Sequence, residues 1–220
     1  MSLISYYPLN GNGKDILGNG PTISCNYDTF NGETVAVDFG YFSLLTMKGD
    51  FTLSYDLYRR GLLGTWCTDF GFGATPGWGV YDLNLPYGDC FIFVYYYAFS
   101  GPNLGIAFSK SGAPEAPDID LGLKQSETIG IWLHYEIHRK GKEFTVFVYN
   151  SNGKNSVVNF TSTEIFPVSD VHFFNAGNYQ TGGGYYKNIK LYDSYVAESI
   201  IGYNNLYKKD NHVFGYQGGN

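Results

Sequence analysis

"ETIGIWLHYEIHRKGKEFTVFVYN", residues 127–150, is the stretch whose reading decides the fold. Ile129, Ile131, Leu133, Tyr135 and Ile137 fall on one side of its first half, and Trp132, His134, Glu136 and His138 on the other. After "RKGKE" the alternation resumes, with Phe144, Val146 and Val148 sharing a side. A period of two marks a half-buried β-strand, because successive side chains of an extended chain point to opposite faces. Two such runs joined by a short Gly-containing link read as an antiparallel hairpin. The same period disposes of a zinc reading. His134 and His138 could share a metal on a helix, but on a strand they stand about 13 Å apart. They are expected as exposed members of the polar face.

Working outward, "FTLSYDLYRR" (51–60) alternates as well, with Phe51, Leu53, Tyr55 and Leu57 opposite Thr52, Ser54 and Asp56. "SNGK" (151–154) carries Asn152-Gly153, which predicts a type I′ turn, where both central residues need φ > 0. "PVSDVHFFNAG" and "YYKNIKLYDS" are expected as the last two strands, with "TGGG" (181–184) as the tip between them. One helix is expected, in "SYVAESIIGYNNLY", where Val196, Ile200, Tyr203 and Leu206 or Tyr207 recur near helical spacing. No composition shift divides the chain. The expectation is one domain over residues 1–207 and a tail over 208–220, "KKDNHVFGYQGGN".

Composition agrees with a β protein. Of 220 residues, 19% are aromatic, including 21 Tyr and 17 Phe, and 29 are Gly. Aromatic rings suit a pleated surface and glycines suit tight turns. The net charge of −6 argues against nucleic acid, which needs a basic face. Cys25, Cys67 and Cys90 are widely spaced and odd in number, which reads as buried thiols. "MSLISYYPLNG" lacks the basic region and apolar core of a signal peptide. "CFIFVYYYAF", apolar over 10 residues, falls short of the roughly 18 of a membrane span. No membrane insertion is expected, and synthesis is expected in a cytoplasm.

"YYPLNGNGKDILGNG" (6–20) invites a phosphate cradle, a metal loop or a turn. The cradle fails, because Lys14 is followed by Asp15 where a Ser or Thr must reach the phosphate and its magnesium. Calcium takes carboxylate, amide and carbonyl oxygens from a folded loop. Asn10, Asn12 and Asp15, with carbonyls near Gly18, are the candidate ligands. The alternative is an Asx turn held by hydrogen bonds alone.

The order of segments resembles the concanavalin A-like lectin/glucanase superfamily, in its laminin-G-like (pentraxin-like) branch. Pro8-Leu9-Asn10-Gly11-Asn12 through Asp15 and Gly18-Asn19-Gly20 match the branch's opening motif. Trp132-Leu133-His134 matches its middle. Ile189-Lys190-Leu191-Tyr192, followed by Val196-Ala197-Glu198-Ser199-Ile200, matches its end. The resemblance covers residues 4 to 207 and implies a two-sheet antiparallel jelly-roll sandwich with one short C-terminal helix. It also implies a calcium loop completed by two acidic residues of the closing motif. This chain has Lys187-Asn188 there, so no cofactor is expected, and calcium is kept only as the alternative.

Glycoside hydrolysis is the natural chemistry for such a fold and needs two carboxyls about 5–5.5 Å apart in a retaining enzyme. The Glu-x-Asp-x-Glu that the glucanase branch places along one strand is absent. Asp118 and Asp120 lie in a Pro-flanked loop, and Glu136 stands between two histidines. Binding without catalysis is therefore the expectation. Aromatic faces stack on sugar rings while amides and carboxylates hold the hydroxyls. Loop-placed candidates are Trp66, Asp69, Trp78, Tyr81, Asp82, Asn84, Tyr87, Asn178 and Tyr179. The expected setting is a virus particle, with the chain as a decoration or tail-associated protein. Its expected partners are capsid or tail proteins, cell-surface glycans and a second copy of itself. The alternatives are a free carbohydrate-binding lectin module and a glycoside hydrolase.

Overall fold

The computed structural model describes residues 2–37, 42–45, 47, 49–61, 66–73, 90–96, 103–108, 119–161, 172–174, 184–195, 208–209 and 212–213. In chain order the strands are β1 Leu3–Tyr7, β2 Asn26–Phe30, β3 Glu33–Val37, β4 Phe42–Ser43, β5 Phe51–Arg59, β6 Trp66–Gly73, β7 Cys90–Tyr96 and β8 Asn103–Phe108. They continue as β9 Ile119–Lys124, β10 Trp132–Lys140, β11 Glu143–Asn150, β12 Asn155–Thr161, β13 His172–Phe174, β14 Gly184–Tyr192, β15 Lys208–Lys209 and β16 His212–Val213. An eight-stranded sheet runs β12-β11-β10-β5-β14-β3-β2, with β1 also paired to β14. A six-stranded sheet runs β4-β13-β6-β7-β8-β9, and β15 pairs with β16. The ladders are antiparallel. Among the described residues, no helix is long and apolar enough to cross a membrane.

The deciding stretch folds as its alternation predicts. β10 and β11 pair from Leu133↔Asn150 to Lys140↔Glu143, leaving Gly141-Lys142 as the turn. β5 lies on the other side of β10, from Arg139↔Phe51 to Trp132↔Tyr58. Phe51, Leu53, Tyr55, Leu57, Leu133, Tyr135, Ile137, Phe144, Val146 and Val148 are buried in one core cluster with Leu104 and Ile106 of β8 and Leu121 and Leu123 of β9. That shared cluster joins the two sheets into a β-sandwich. Tyr55 and Tyr135 stack across the strands, with centroids 4.8 Å apart and planes at 11°. Each fully buried aliphatic side chain contributes roughly 1.5–3 kcal/mol.

Three expectations are corrected. The two strands expected as the last, β13 in the six-stranded sheet and β14 in the eight-stranded one, are followed by the short pair β15 and β16. Asn152-Gly153 does not form a type I′ turn: only Gly153 has positive φ, at 87°. Asn150 organises that loop instead, its side-chain oxygen accepting from the amides of Asn152 and Lys154 at 3.1 and 2.9 Å. The Asn-Gly pair that does take both positive angles is Asn31 (51°) and Gly32 (81°), between β2 and β3. The third correction concerns His134 and His138, which are 3% and 0% exposed rather than facing solvent. Of the helix expected over 194–207, residues 196–207 lie outside the described residues, as does most of the expected tail.

Candidate functional site

The site begins with a break in the period of β14. Lys187 opposes Asp56 of β5, but Lys190 opposes Ser54. Asn188 and Ile189 thus share the space opposite Tyr55, which is a β-bulge. Asn188 takes φ 57°, in the left-handed region that Asn tolerates better than most side chains. Core-facing Tyr186, Ile189 and Leu191 are consequently spaced three and then two residues apart. The inserted residue leaves Lys187 and Asn188, adjacent in sequence, on the same outer side of the sheet.

On its other edge, β14 changes neighbour at the same place. Tyr185 and Tyr186 pair with Val37 and Ala36 of β3, whereas Ile189 to Tyr192 pair with β1 from Tyr7 to Leu3. β3 and β1 diverge around Lys187-Asn188, and the fork opens a cleft of about 390 Å³ lined by Tyr6, Pro8, Asn10, Glu33, Thr34, Lys187 and Asn188. The Pro8 carbonyl accepts from the Asn188 amide at 3.3 Å, tying the loop after β1 to the bulge.

The polar groups of the cleft are arranged from behind. The Tyr6 hydroxyl donates to Asn188 Oδ1 at 2.9 Å, and Asn188 Nδ2 donates to Asp56 Oδ2 at 2.7 Å. Lys187 Nζ pairs with Glu33 Oε2 at 2.6 Å and lies 4.4 Å from the centre of the Trp132 ring. Lys190 Nζ sits 5.2 Å from the Tyr6 ring centre. Burial, and next the charge of Asp56, push the Tyr6 phenol up, so it stays a neutral donor.

Asp56 opens a buried polar row that crosses from β5 to β10 and then runs along β10. Asp56 Oδ1 meets His134 Nδ1 at 2.6 Å, His134 Nε2 meets Glu136 Oε1 at 3.3 Å, and Glu136 Oε2 meets His138 Nε2 at 3.0 Å. Burial alone would push the His134 imidazolium down, but its hydrogen bonds to Asp56 and Glu136, and their charges, raise its pKa to about 9. At neutral pH His134 is therefore a cation donating to both carboxylates. Phe147 and Tyr149 of β11 flank the row, with ring centres 4.9 Å from His138 and 6.3 Å from His134. Tyr195 stands edge-on to His138 at 6.3 Å.

The calcium candidates are dispersed over different tasks. Asp15 Oδ1 accepts from the amides of Tyr6 and Leu17, and Oδ2 from the Ser5 hydroxyl and the amides of Asn19 and Gly20, at 2.8–3.0 Å. Burial opposes the Asp15 charge, but the backbone donors and Ser5 outweigh it and hold the carboxyl below its ordinary pKa. Asn12 Oδ1 accepts from the Lys14 amide at 3.1 Å, an Asx turn, and Asn10 is exposed on the cleft wall. Among the described residues, no group of three His, Cys, Asp or Glu could hold a metal ion. Both oxygens of the Asp15 carboxylate are engaged by donors of its own loop and of β1.

Of the binding candidates, Trp66 and Asp69 lie within strand β6 and not in a loop. Trp78, Tyr81, Asp82, Asn84, Tyr87, Asn178 and Tyr179 lie outside the described residues. Sequence reasoning missed Tyr6, Asp56 and Asn188 as site residues. Its available signal was the three-then-two spacing in "YYKNIKLY".

No protein-family model matches the chain, and no curated protein matches it by sequence. Solved structures do. Domain 4 of a GH43 extracellular arabinanase from Geobacillus stearothermophilus, solved with arabinotriose, is similar with a TM-score of 0.53 and 12% identity, over 89% of this chain and 94% of that one. A Bauhinia forficata lectin in complex with GalNAc has a TM-score of 0.49 and 17% identity, over 79% and 83%. The CBM2 module of the evolved Dit protein of Lactobacillus casei BL23 phage J-1 has 0.46 and 12%, over 80% and 83%. At these identities the likeness shows the fold alone, an all-β sandwich.

Proposed function

We propose that this chain is a non-catalytic carbohydrate-binding sandwich whose ligand enters the cleft at the fork of β1, β3 and β14. The observation that carries the reading is the cleft itself. Its volume falls in the roughly 300–1,000 Å³ range of small-molecule sites. Its groups are amides, hydroxyls, a phenol and a neutralised ion pair, which suit hydroxyl-rich ligands. The arabinotriose-bound domain of the same fold supports saccharide as the ligand class. The absence of catalysis is proposed because Asp56 and Glu136, the carboxylates of the row, are 5% and 0% exposed and are bonded to His134. Neither is presented to a glycosidic bond. Attachment to a virus particle is the finer part of the proposal. It rests on the aromatic content of the chain and is tested by co-purification with intact particles.

The test of binding is calorimetric titration of the full chain with a panel of neutral and acidic oligosaccharides, repeated with Asn188→Gly. Glycine accepts the φ of 57° and removes the amide. Binding that falls at least about tenfold in a variant with unchanged melting temperature supports the cleft. A panel without ligands, or one that binds the variant equally well, overturns it. Reducing-sugar release from any ligand found would overturn the non-catalytic part.

A further inference from the structure

The cleft can be read for the kind of saccharide it takes, on the footing that it is the saccharide site. A carboxylate only accepts, so the 2.7 Å contact with Asp56 Oδ2 requires the Asn188 nitrogen to face inward. The Asn188 oxygen then faces the Tyr6 hydroxyl, 2.9 Å away. Each end of the amide keeps one valence for the cleft: one N–H on Nδ2 and one lone pair on Oδ1. The Tyr6 oxygen, having donated its proton, keeps its lone pairs. A donor beside acceptors on rigid strands matches two neighbouring hydroxyls, one accepting from Asn188 and the other donating to it or to Tyr6.

The charges point the same way. Lys187, whose side chain is 18% exposed, is matched by Glu33 at 2.6 Å and shielded by Trp132. Lys190 is laid over Tyr6 near Asp56. An anionic sugar entering here meets no uncommitted cation among the described lining residues. It does meet Glu33, whose side chain is 62% exposed. We infer that the cleft selects an uncharged pair of neighbouring sugar hydroxyls and rejects anionic sugars, with Asp56 as the positioning residue that sets the Asn188 amide and Glu33 as the residue that cancels Lys187.

The experiment takes the best-binding neutral oligosaccharide of the panel and compares it by calorimetry with its C6-carboxylate form, on wild-type chain and on Glu33→Gln. The wild type should bind the neutral sugar at least about tenfold more tightly, since like charges brought together in a binding site are strongly disfavoured. Glu33→Gln frees the Lys187 charge and should narrow the ratio to about threefold or less. Glu33 is exposed, so the variant should fold. Tyr6→Phe should weaken the neutral sugar about tenfold by removing the phenolic oxygen. Equal or tighter wild-type binding of the carboxylate form overturns the selectivity, and so does a ratio that Glu33→Gln leaves unchanged. In both cases saccharide binding itself would stand. Failure of every sugar to bind overturns the site reading and this inference with it.

Discussion

Raising the pH should unload the buried row through His134, and the size of the effect follows from the structure. His134 faces Asp56 of β5, Glu136 of its own strand and Tyr149 of β11, with Lys190 of β14 nearby across Asp56. The two carboxylates raise its pKa from 6.5 to about 9. A folded-state pKa above the unfolded one stabilises the fold fully below the unfolded value and loses that contribution as pH rises through the folded one. The window is therefore pH 6.5 to about 9. A shift of that size at about 1.4 kcal/mol per pH unit amounts to about 3 kcal/mol, lost at up to about 1.4 kcal/mol per pH unit. For a domain of this length the loss should lower the melting midpoint by about 6–12 °C across the window. Cys25 and the tyrosines with raised pKa enter only above their ordinary values of 9.0 and 10.0, so they do not mask it. The assay is urea unfolding at half-unit steps from pH 6 to 9, on wild type and on His134→Gln, which cannot become a cation. The wild-type slope should vanish in the variant. A wild-type stability that is flat from pH 6.5 to 9, or a slope that survives in His134→Gln, refutes the cationic His134.

Asp15→Asn should destabilise by about 2–4 kcal/mol in urea unfolding, because an amide cannot accept from all five donors around Asp15. Since the Asp15 carboxyl is held below its ordinary 3.8, its contribution is present above that pH and lost as pH falls, and this part of the acid transition should be missing in the variant. Gly13→Ala should cost more than about 2 kcal/mol, or prevent folding, because a Cβ there runs into the Ile23 backbone carbonyl. Gly32→Ala, strained only by its φ of 81° and with no atom near its Cβ, should cost no more than about 1 kcal/mol by the same unfolding measurement. Ile137→Ala, at a fully buried core position, should cost about 2–5 kcal/mol.

The strands were legible because one face of each is uniformly apolar: Phe51 to Leu57, Leu133 to Ile137 and Phe144 to Val148 sit in the core where alternation puts them. The state of the opposite face was harder to read. Period two separates two faces without saying which of them is wet. The available clue was β11, where Phe147 and Tyr149 make the second face apolar as well, as in strands covered on both sides. Reading His134 and His138 with that clue places them under cover. The cleft was hidden for a different reason. Its key contacts join residues 182 and 132 positions apart, Tyr6 to Asn188 and Asp56 to Asn188. No local pattern reports a fork where β14 exchanges β3 for β1. The hydrogen bonds of the opening motif, by contrast, are local, since the donors and the acceptor lie within fifteen residues of one another.

The energetics of the buried row argue that it serves the cleft more than the fold. The roughly 3 kcal/mol assigned to His134 separates two protonation states of one buried group, and is not a surplus over an apolar face. Replacing a buried ion pair with packed apolar residues is often neutral or stabilising, whereas removing one partner leaves an uncompensated charge. A row that fails to outperform leucine and valine as glue still does something they cannot. It delivers a fixed acceptor, Asp56 Oδ2, to the back of Asn188. With its other oxygen, Oδ1, held by His134 at 2.6 Å, the Asp56 carboxylate has little freedom to turn, and the amide anchored on Oδ2 keeps one orientation. An amide free to flip would present donor and acceptor interchangeably. The bulge places Asn188 on the cleft side of the sheet, and the ionised row decides how its two ends are turned.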